Sequence, residues 1–304
     1  MTQVSQPAQL SVVIPVYNEA ATIGTILRQV ANAVPEVSKQ IIIVDDCSSD
    51  GTAEWLRRNL GDAQGVWHGI SVNDDGQLEL RRQQTSNTAS FAFTVVFHER
   101  NLGKGGAVRT GFEHASGDVI VVQDADLEYD PNDWSLMLPL IVDRKVADVV
   151  YGSRFDSRPH RSLYFHHYIG NKIISLLFSM IYNQTLSDIE VCYKMLRKEI
   201  LNQLVLTSND FGFEIEISAQ IARAKCWRIY EVGISYYGRT YDEGKKINWR
   251  DGVKALGYLV KFRTRPIPRL AHVSSGSGVL VGRASRSPIF QLLGCRSHCP
   301  VDPR

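Results

Sequence analysis

From Leu10 onward, short uninterrupted apolar runs alternate with amphipathic stretches, the pattern of an α/β layer fold. Leu10–Tyr17 (LSVVIPVY) and Gln40–Asp45 (QIIIVD) are apolar and β-branched throughout, which predicts strands buried on both faces near the middle of a sheet. Between them, Glu19–Ala33 carries Ile23, Ile26, Leu27 and Val30 at helical spacing. A helix is expected to open at Asp50-Gly51-Thr52 and run through Leu60, with Ser48, Ser49 or Asp50 as its cap. Further strands are predicted at Phe93–His98, Val119–Gln123 and Ala147–Gly152, with a helix over Gly105–His114. The polar stretch Gly61–Ala92 breaks the rhythm. Within it, Asp75-Gly76 separates His68–Asn73 from Gln77–Arg81, which reads as an inserted surface hairpin.

After Tyr151 the pattern predicts a long helix (Leu163–Tyr182), a strand near Val191–Leu196, a helix at Phe213–Arg223, a strand at Trp227–Tyr236 and a last helix at Trp249–Phe262, together forming an acceptor side over the first half. The stripe Ile169, Ile173, Ile174, Leu177 and Ile181 reads as ordinary core, although it and Leu256–Phe262 are also the stretches suited to shallow membrane contact. From Thr264 the text turns rich in proline and arginine without periodicity, and residues 264–304 are expected to be a mostly disordered basic tail after a domain spanning 1–263.

Composition changes this picture little until it is divided. The 304 residues are 44% hydrophobic and 22% charged, with a formal net charge of +2, which excludes disordered and collagen-like classes and gives no footprint for nucleic acid. The tail holds six arginines and one acid, which leaves 28 basic against 31 acidic residues in Met1–Arg263. No secretory signal is visible at the start, and Ile173–Tyr182 is about half of the ~20 apolar residues needed to span a membrane. Five cysteines without a framework are expected to be reduced thiols of a cytoplasmic protein.

Candidate chemistry gathers where strands end. Gln123-Asp124-Ala125-Asp126-Leu127-Glu128 follows an apolar strand, and residues i and i+2 of an extended segment face the same way, so Asp124 and Asp126 can present two carboxylates together. Such a pair suits a hard divalent cation that also grips a diphosphate. Pro15-Val16-Tyr17-Asn18-Glu19 and Asp45-Asp46-Cys47-Ser48-Ser49-Asp50 end the first two strands at the same edge, where open α/β sheets bind ligands. Asn18, Ser49 and Asp50 fit simple capping, whereas the adjacent acids Asp45 and Asp46 exceed what one cap needs and point to a ligand. Asn101-Leu102-Gly103-Lys104-Gly105-Gly106 lacks the Walker pattern, and GxGxxG is absent, so P-loop and dinucleotide-dependent oxidoreductase readings are disfavoured; the loop is expected to bring backbone and Lys104 to a donor. His160, His166 and His167 lack metal-ligand spacing.

PVYNE, VDDCSSDGT, ERNLGKGGA, QDADLEYDP and VYGSRF, in that order, resemble glycosyltransferase family 2, and more narrowly its polyprenyl-phosphate, dolichol-phosphate mannose synthase-like group. The resemblance spans Leu10–Phe262 and implies an α/β GT-A nucleotide-diphospho-sugar transferase fold with a mostly parallel central sheet flanked by helices. It also implies transfer of a sugar from a UDP- or GDP-sugar to a lipid phosphate with inversion, at the cytoplasmic membrane face and with contact to the membrane surface or a membrane protein. Carried over by position, Pro15, Tyr17 and Glu19 with Asp45 or Asp46 would line the base and ribose pocket, with Lys104 near the donor. Asp124 and Asp126 would hold Mg2+ or Mn2+, with Gln123 and Glu128 alongside. Arg154, Arg161 and Arg239 would face donor and acceptor phosphates, joined by Lys245 or Lys246 from a loop before the last helix.

The chemistry is consistent with this. A phosphate acceptor is already largely anionic near neutral pH, with a second pKa of about 6, and needs orientation and charge screening more than a base. For a hydroxyl acceptor, Asp188 or Glu190 would be the acid facing it, Asp188 being the first candidate base. Two alternatives remain open: a family 2 transferase acting on a saccharide or other hydroxyl, and a non-catalytic nucleotide-sugar-binding protein.

Overall fold

Seven strands form one sheet in the order β5-β2-β1-β6-β8-β7-β9. In the computed structural model, which describes residues 9–266 apart from 62, 74–75, 85–88, 157–160, 162–163 and 241–248, these strands are β1 (Leu10–Val16), β2 (Lys39–Asp45), β5 (Phe91–Phe97), β6 (Val119–Val122), β7 (Val149–Ser153), β8 (Lys194–Arg197) and β9 (Ile229–Gly233). A separate antiparallel pair, β3 (Gly69–Val72) and β4 (Leu78–Arg81), is the expected hairpin. The helices are α1 (Ile23–Asn32), α2 (Thr52–Leu60), α3 (Lys104–His114), α4 (Trp134–Ile141), α5 (Phe165–Tyr182), α6 (Lys198–Leu201), α7 (Gly212–Ala224) and α8 (Trp249–Thr264).

The two runs read as central strands are central. β1 pairs in parallel with β2 on one side and β6 on the other, and their apolar side chains are buried on both faces. β5 begins at Phe91, two residues earlier than expected and inside the predicted insert, because Trp67 bridges to Phe91 and ties the hairpin segment to the strand. α1 starts only at Ile23, since Glu19–Thr22 are occupied in turns that meet the second strand's loop.

Two helices, α4 and the short α6, are not anticipated by the sequence pattern. α4 carries Pro139 in its interior and follows a short 3-10 turn, Pro131–Asp133, capped by Asp130; the proline and the nearly all-apolar run hide helical periodicity. The strand expected near Val191–Leu196 is displaced to Lys194–Arg197 and runs antiparallel between β6 and β7. All other pairings in the main sheet are parallel. Thr264 ends α8 rather than opening a tail, and residues 267–304 lie outside the described residues. Among the described residues, no helix is long and apolar enough to cross a membrane.

The Asn101–Gly106 loop owes its glycines to packing. Gly103 has φ +82°, and a Cβ there would sit 2.5 Å from the Asn209 carbonyl oxygen. A Cβ on Gly105 would lie 2.4 Å from the Ser208 carbonyl oxygen and 2.9 Å from that of Asp210. The turn before α3 is therefore pressed against the backbone leading into α7, which is what these glycines permit. Gly105→Ala is expected to destabilise the fold by about 1–3 kcal/mol through overpacking. A lowered urea midpoint with an unchanged m-value would register it, and an unchanged midpoint would refute the close approach.

Candidate functional site

Asp124 and Asp126 lie just beyond the end of β6, at the carboxyl edge of the parallel strands, and both line a cavity of about 1010 Å³. The Lys104 ammonium, from the first turn of α3, is 2.8 Å from Asp124 Oδ1 and 3.0 Å from Oδ2. It also stands 3.5 Å from Glu214 Oε1, in the first turn of α7. Burial opposes the Lys104 charge, but Asp124 and Glu214 outweigh it and hold its pKa well above the ordinary lysine value. Asp126 has the opposite surroundings: burial first, then the neighbouring Asp124 and Glu128 carboxylates, push its carboxyl up to about 7.

Arg239 spans the acids from the other side. Its guanidinium donates to both oxygens of Glu19, at 3.3 and 3.1 Å, and to the Asp126 carbonyl. Glu128 fixes this arginine's backbone: its Oε1 accepts from the Arg239 amide at 2.6 Å and its Oε2 from the Tyr236 hydroxyl at 3.0 Å. Glu128 is thus a tie between β6 and the segment after β9. Gln123 is buried, with its side-chain oxygen accepting from the Tyr193 hydroxyl and its amide donating to the Asp124 carbonyl, so it braces the pair from behind.

The first-half edge divides in a way the sequence did not indicate. Pro15, Tyr17, Glu19 and Asp46 line the cavity, while Asp45 does not. Asp45 is buried and accepts from the Ser48 amide at 3.2 Å, closing its own turn. Asp46 is also buried, and its two oxygens accept from the Leu102 and Gly103 amides, each at 2.8 Å, while Oδ1 lies 2.7 Å from His98 Nδ1. The expected acid pair therefore divides: Asp46 borders the cavity with its oxygens engaged at the N-terminus of α3, whereas Asp45 stands outside the lining, with Oδ1 buried and without a hydrogen-bond partner among the described residues.

On the acceptor side, Arg154 Nε and Nη2 donate to the two oxygens of Asp188 at 2.6 and 2.7 Å. The Asp188 side chain is fully buried, does not line the cavity, and receives the Arg154 amide as well. Asp188 is therefore a holder of Arg154 rather than a base facing an acceptor. Glu190, two residues on, does line the cavity, and burial is the main cause that pushes its carboxyl up to about 7. Arg154 keeps its place between Asp188 and the Tyr236 ring, 5.4 Å from the ring centre. Arg161 also lines the cavity, where Nη1 donates to the Gly238 carbonyl at 3.0 Å. Lys245 and Lys246 lie outside the described residues.

Two contributors to the site carried a weak signal in the chain. Glu214 lines the cavity and pairs with the buried Lys194 as well as Lys104. In Phe213-Glu214-Ile215-Glu216-Ile217 the acids alternate with apolar residues in a helix; both are buried, and nothing in the sequence says toward what. Tyr258 of α8 reaches the cavity, and its hydroxyl donates to Asp210 at 2.7 Å.

The donor set can be tested against a divalent cation. Among the described residues, no group of three or more His, Cys, Asp and Glu side chains converges to hold a metal alone. Two adjacent carboxylates, one with its pKa raised partly by the other, leave coordination places for water and diphosphate oxygens and fit Mg2+ or Mn2+.

A mostly parallel sheet with helices around it and paired carboxylates at its carboxyl edge defines a GT-A glycosyltransferase. The sequence profile of glycosyl transferase family 2 matches residues 11–66 and 65–205, and the chain belongs to that family. An undecaprenyl-phosphate 4-deoxy-4-formamido-L-arabinose transferase of Salmonella choleraesuis (strain SC-B67) is 28% identical over 292 residues, covering 94% of this chain and 76% of the relative. The same-named enzyme of Salmonella paratyphi B (strain ATCC BAA-1250 / SPB7) is 27% identical with the same coverage. Among solved structures, glucosyl-3-phosphoglycerate synthase from Mycobacterium tuberculosis, crystallised with Mn2+, uridine diphosphate and phosphoglyceric acid, superposes with a TM-score of 0.58 at 18% identity, covering 85% of this chain and 80% of that one. The same synthase has also been crystallised with Mg2+ and uridine diphosphate, with a TM-score of 0.56.

Because the Glu190 pKa is raised in the folded protein, the native state holds this proton more tightly than the unfolded chain. Its contribution to stability is complete below the ordinary value of 4.5 and is lost as pH rises toward about 7. Glu190→Gln should therefore gain in melting temperature relative to the parent as pH rises through that window. Parallel melting curves of the two proteins across it would contradict the half-buried, poorly solvated position of this carboxyl.

Proposed function

We propose that the chain transfers a sugar from a UDP- or GDP-sugar to a polyprenyl phosphate, with inversion, at the cytoplasmic membrane face and with the help of Mg2+ or Mn2+. The observation that carries this reading is the make-up of one cavity. Its walls include the carboxylates beyond β6, three arginines from separate segments, and an apolar and aromatic stretch from α5 and α8, among them Phe165, Ile174 and Tyr258. A soluble sugar hydroxyl needs neither three cationic forks nor apolar helix walls, whereas a phosphate on a hydrocarbon chain needs both. The relatives named for undecaprenyl-phosphate substrates support the same acceptor class.

In this reading Tyr17, which is half exposed at the cavity, gives the donor base a face to stack on, and Pro15 shapes the pocket beside it. Asp124 and Asp126 would hold the cation, which would supply Lewis-acid stabilisation of the leaving diphosphate. Lys104 and Arg239 balance the acid cluster and are the side chains able to turn toward phosphate once that cluster is neutralised. Arg154 is held rigidly through Nε and Nη2, so its Nη1 has a fixed direction for an acceptor oxygen, and Arg161 adds a second fork. The acceptor phosphate carries its own charge, so the residues around it screen and orient it; they need not remove a proton.

A second reading, transfer to a hydroxyl, is favoured by one observation: Glu190 is a cavity carboxyl whose pKa of about 7 suits a general base. The two readings separate on the product. Incubation with labelled donor and a water-soluble short-chain polyprenyl phosphate should yield an acid-labile glycosyl phosphate, and its absence beside an acid-stable glycoside would favour the hydroxyl reading. Asp126→Asn should abolish Mn2+-dependent tightening of nucleotide binding in calorimetry; affinity that survives a chelator unchanged would remove the metal from the proposal. Arg239→Ala should lower transfer by about a hundredfold to a thousandfold, the range for one charge-stabilising donor, with nucleotide affinity changed much less.

A further inference from the structure

We infer that Glu214 is a positioning residue for the cation-binding edge: its Oε1 receives the Lys104 ammonium when a divalent cation takes Asp124. The inference rests on the metal-dependent reading above and adds to it the residue that lets the cation in.

Four charges of alternating sign follow one another in a largely buried row. Lys194 Nζ donates to Glu214 Oε2 and to the Val191 carbonyl, Glu214 Oε1 faces the Lys104 ammonium at 3.5 Å, and that ammonium meets the two oxygens of Asp124 at 2.8 and 3.0 Å. The row is assembled from four elements: Lys194 opens β8, Glu214 lies in the first turn of α7, Lys104 opens α3, and Asp124 follows β6. Both Lys194 and Glu214 are buried.

An ordinary ion pair between Lys194 and Glu214 does not account for the second carboxylate oxygen. Oε1 is buried and accepts no hydrogen bond among the described residues, an arrangement that is costly unless a donor can reach it. The Lys104 ammonium is that donor, standing less than ~1 Å beyond an ordinary charge-assisted hydrogen bond. The acceptors in the segment before α7 are already engaged: Asn209 Oδ1 by Arg109, and the two Asp210 oxygens by the Gly212 amide and the Tyr258 hydroxyl.

Lys104 holds both oxygens of Asp124, the atoms that a cation shared with Asp126 would need. A divalent cation there repels the ammonium and competes for its partner. With no second acid in reach, moving Lys104 would strand a poorly solvated charge. With Glu214 in reach, the move exchanges one charge-assisted hydrogen bond for another. Lys194 fixes the carboxylate through Oε2, which keeps Oε1 aimed at Lys104.

Mn2+ binding tests this, read from the electron paramagnetic resonance signal of the free ion in the presence of UDP and, separately, of GDP. Lys194→Met combined with Glu214→Gln removes one charge of each sign, so the row keeps its net charge and no buried ion is left alone. Mn2+ affinity should fall about tenfold to a hundredfold, the worth of one charge-assisted hydrogen bond. In a Lys104→Met background the same two substitutions should change it little, because no ammonium has to be moved. Parental affinity in the first variant would overturn the inference, and so would equal losses in both backgrounds, which mark a merely structural role. Should melting curves show that the paired substitution does not fold, Glu214→Asp decides: it keeps the charge, withdraws the oxygen by one methylene and should show the same loss, and parental affinity in it would overturn the inference. A parent that binds no Mn2+ with either nucleotide would remove the metal-dependent reading and this inference with it, whereas parental binding without loss in the variants removes this inference alone.

Discussion

Four carboxylates, those of Glu19, Asp124, Asp126 and Glu128, are brought to one edge of the sheet by the ends of β1 and β6, and their mutual repulsion must be met by cations from elsewhere in the chain. Lys104 arrives from α3 and Arg239 from the segment after β9, so the two cations join the first and second halves of the fold through the site itself. The placement of α3 then depends on Asp46 and on glycines that let its first turn press against the Ser208–Asp210 backbone. The placement of Arg239 depends on Glu128. Much of the architecture around the cavity is arranged to keep these opposite charges in register.

The strands that build the ligand edge were legible because burial on both faces leaves an unmistakable apolar run, and the acids that end them stand out against it. Legibility failed where one residue type serves two ends. Asp45 and Asp188 look like ligands in the chain, yet neither lines the cavity, and Asp46, which does, has its oxygens engaged by the Leu102 and Gly103 amides. A sequence gives the presence of a charge at a strand end but not the direction of its side chain, and for Asp46 the choice depends on a loop more than fifty residues away. Glu190 illustrates the reverse: it is the second of two acids, after Asp188, that the chain offers for an acceptor, and it is the one the backbone turns into the cavity.

The second half was harder to read for a different reason. Its helices are apolar over wide arcs, and a wide arc is equally suited to a core and to a surface that meets hydrocarbon. Only the packing of α5 against α8 separates the residues that face the cavity, such as Ile174, from those left outside, such as Met180.

The reversed direction of β8 has an electrostatic corollary. In a parallel strand the chain leaves the ligand edge into a helix, whose N-terminus lends partial positive charge to bound anions. β8 instead enters from that edge and passes directly into α6 at the opposite one. The position between β6 and β7 therefore contributes an incoming segment carrying Glu190 and Cys192 to the cavity, with no backbone dipole to attract an anion. Attraction there has to come from a side chain, and Arg154, immobilised by Asp188 from that same incoming segment, stands where the missing helix terminus would have acted. Side-chain attraction can be lost by one substitution, whereas a dipole built into the backbone cannot, which makes this half of the site the more easily retuned.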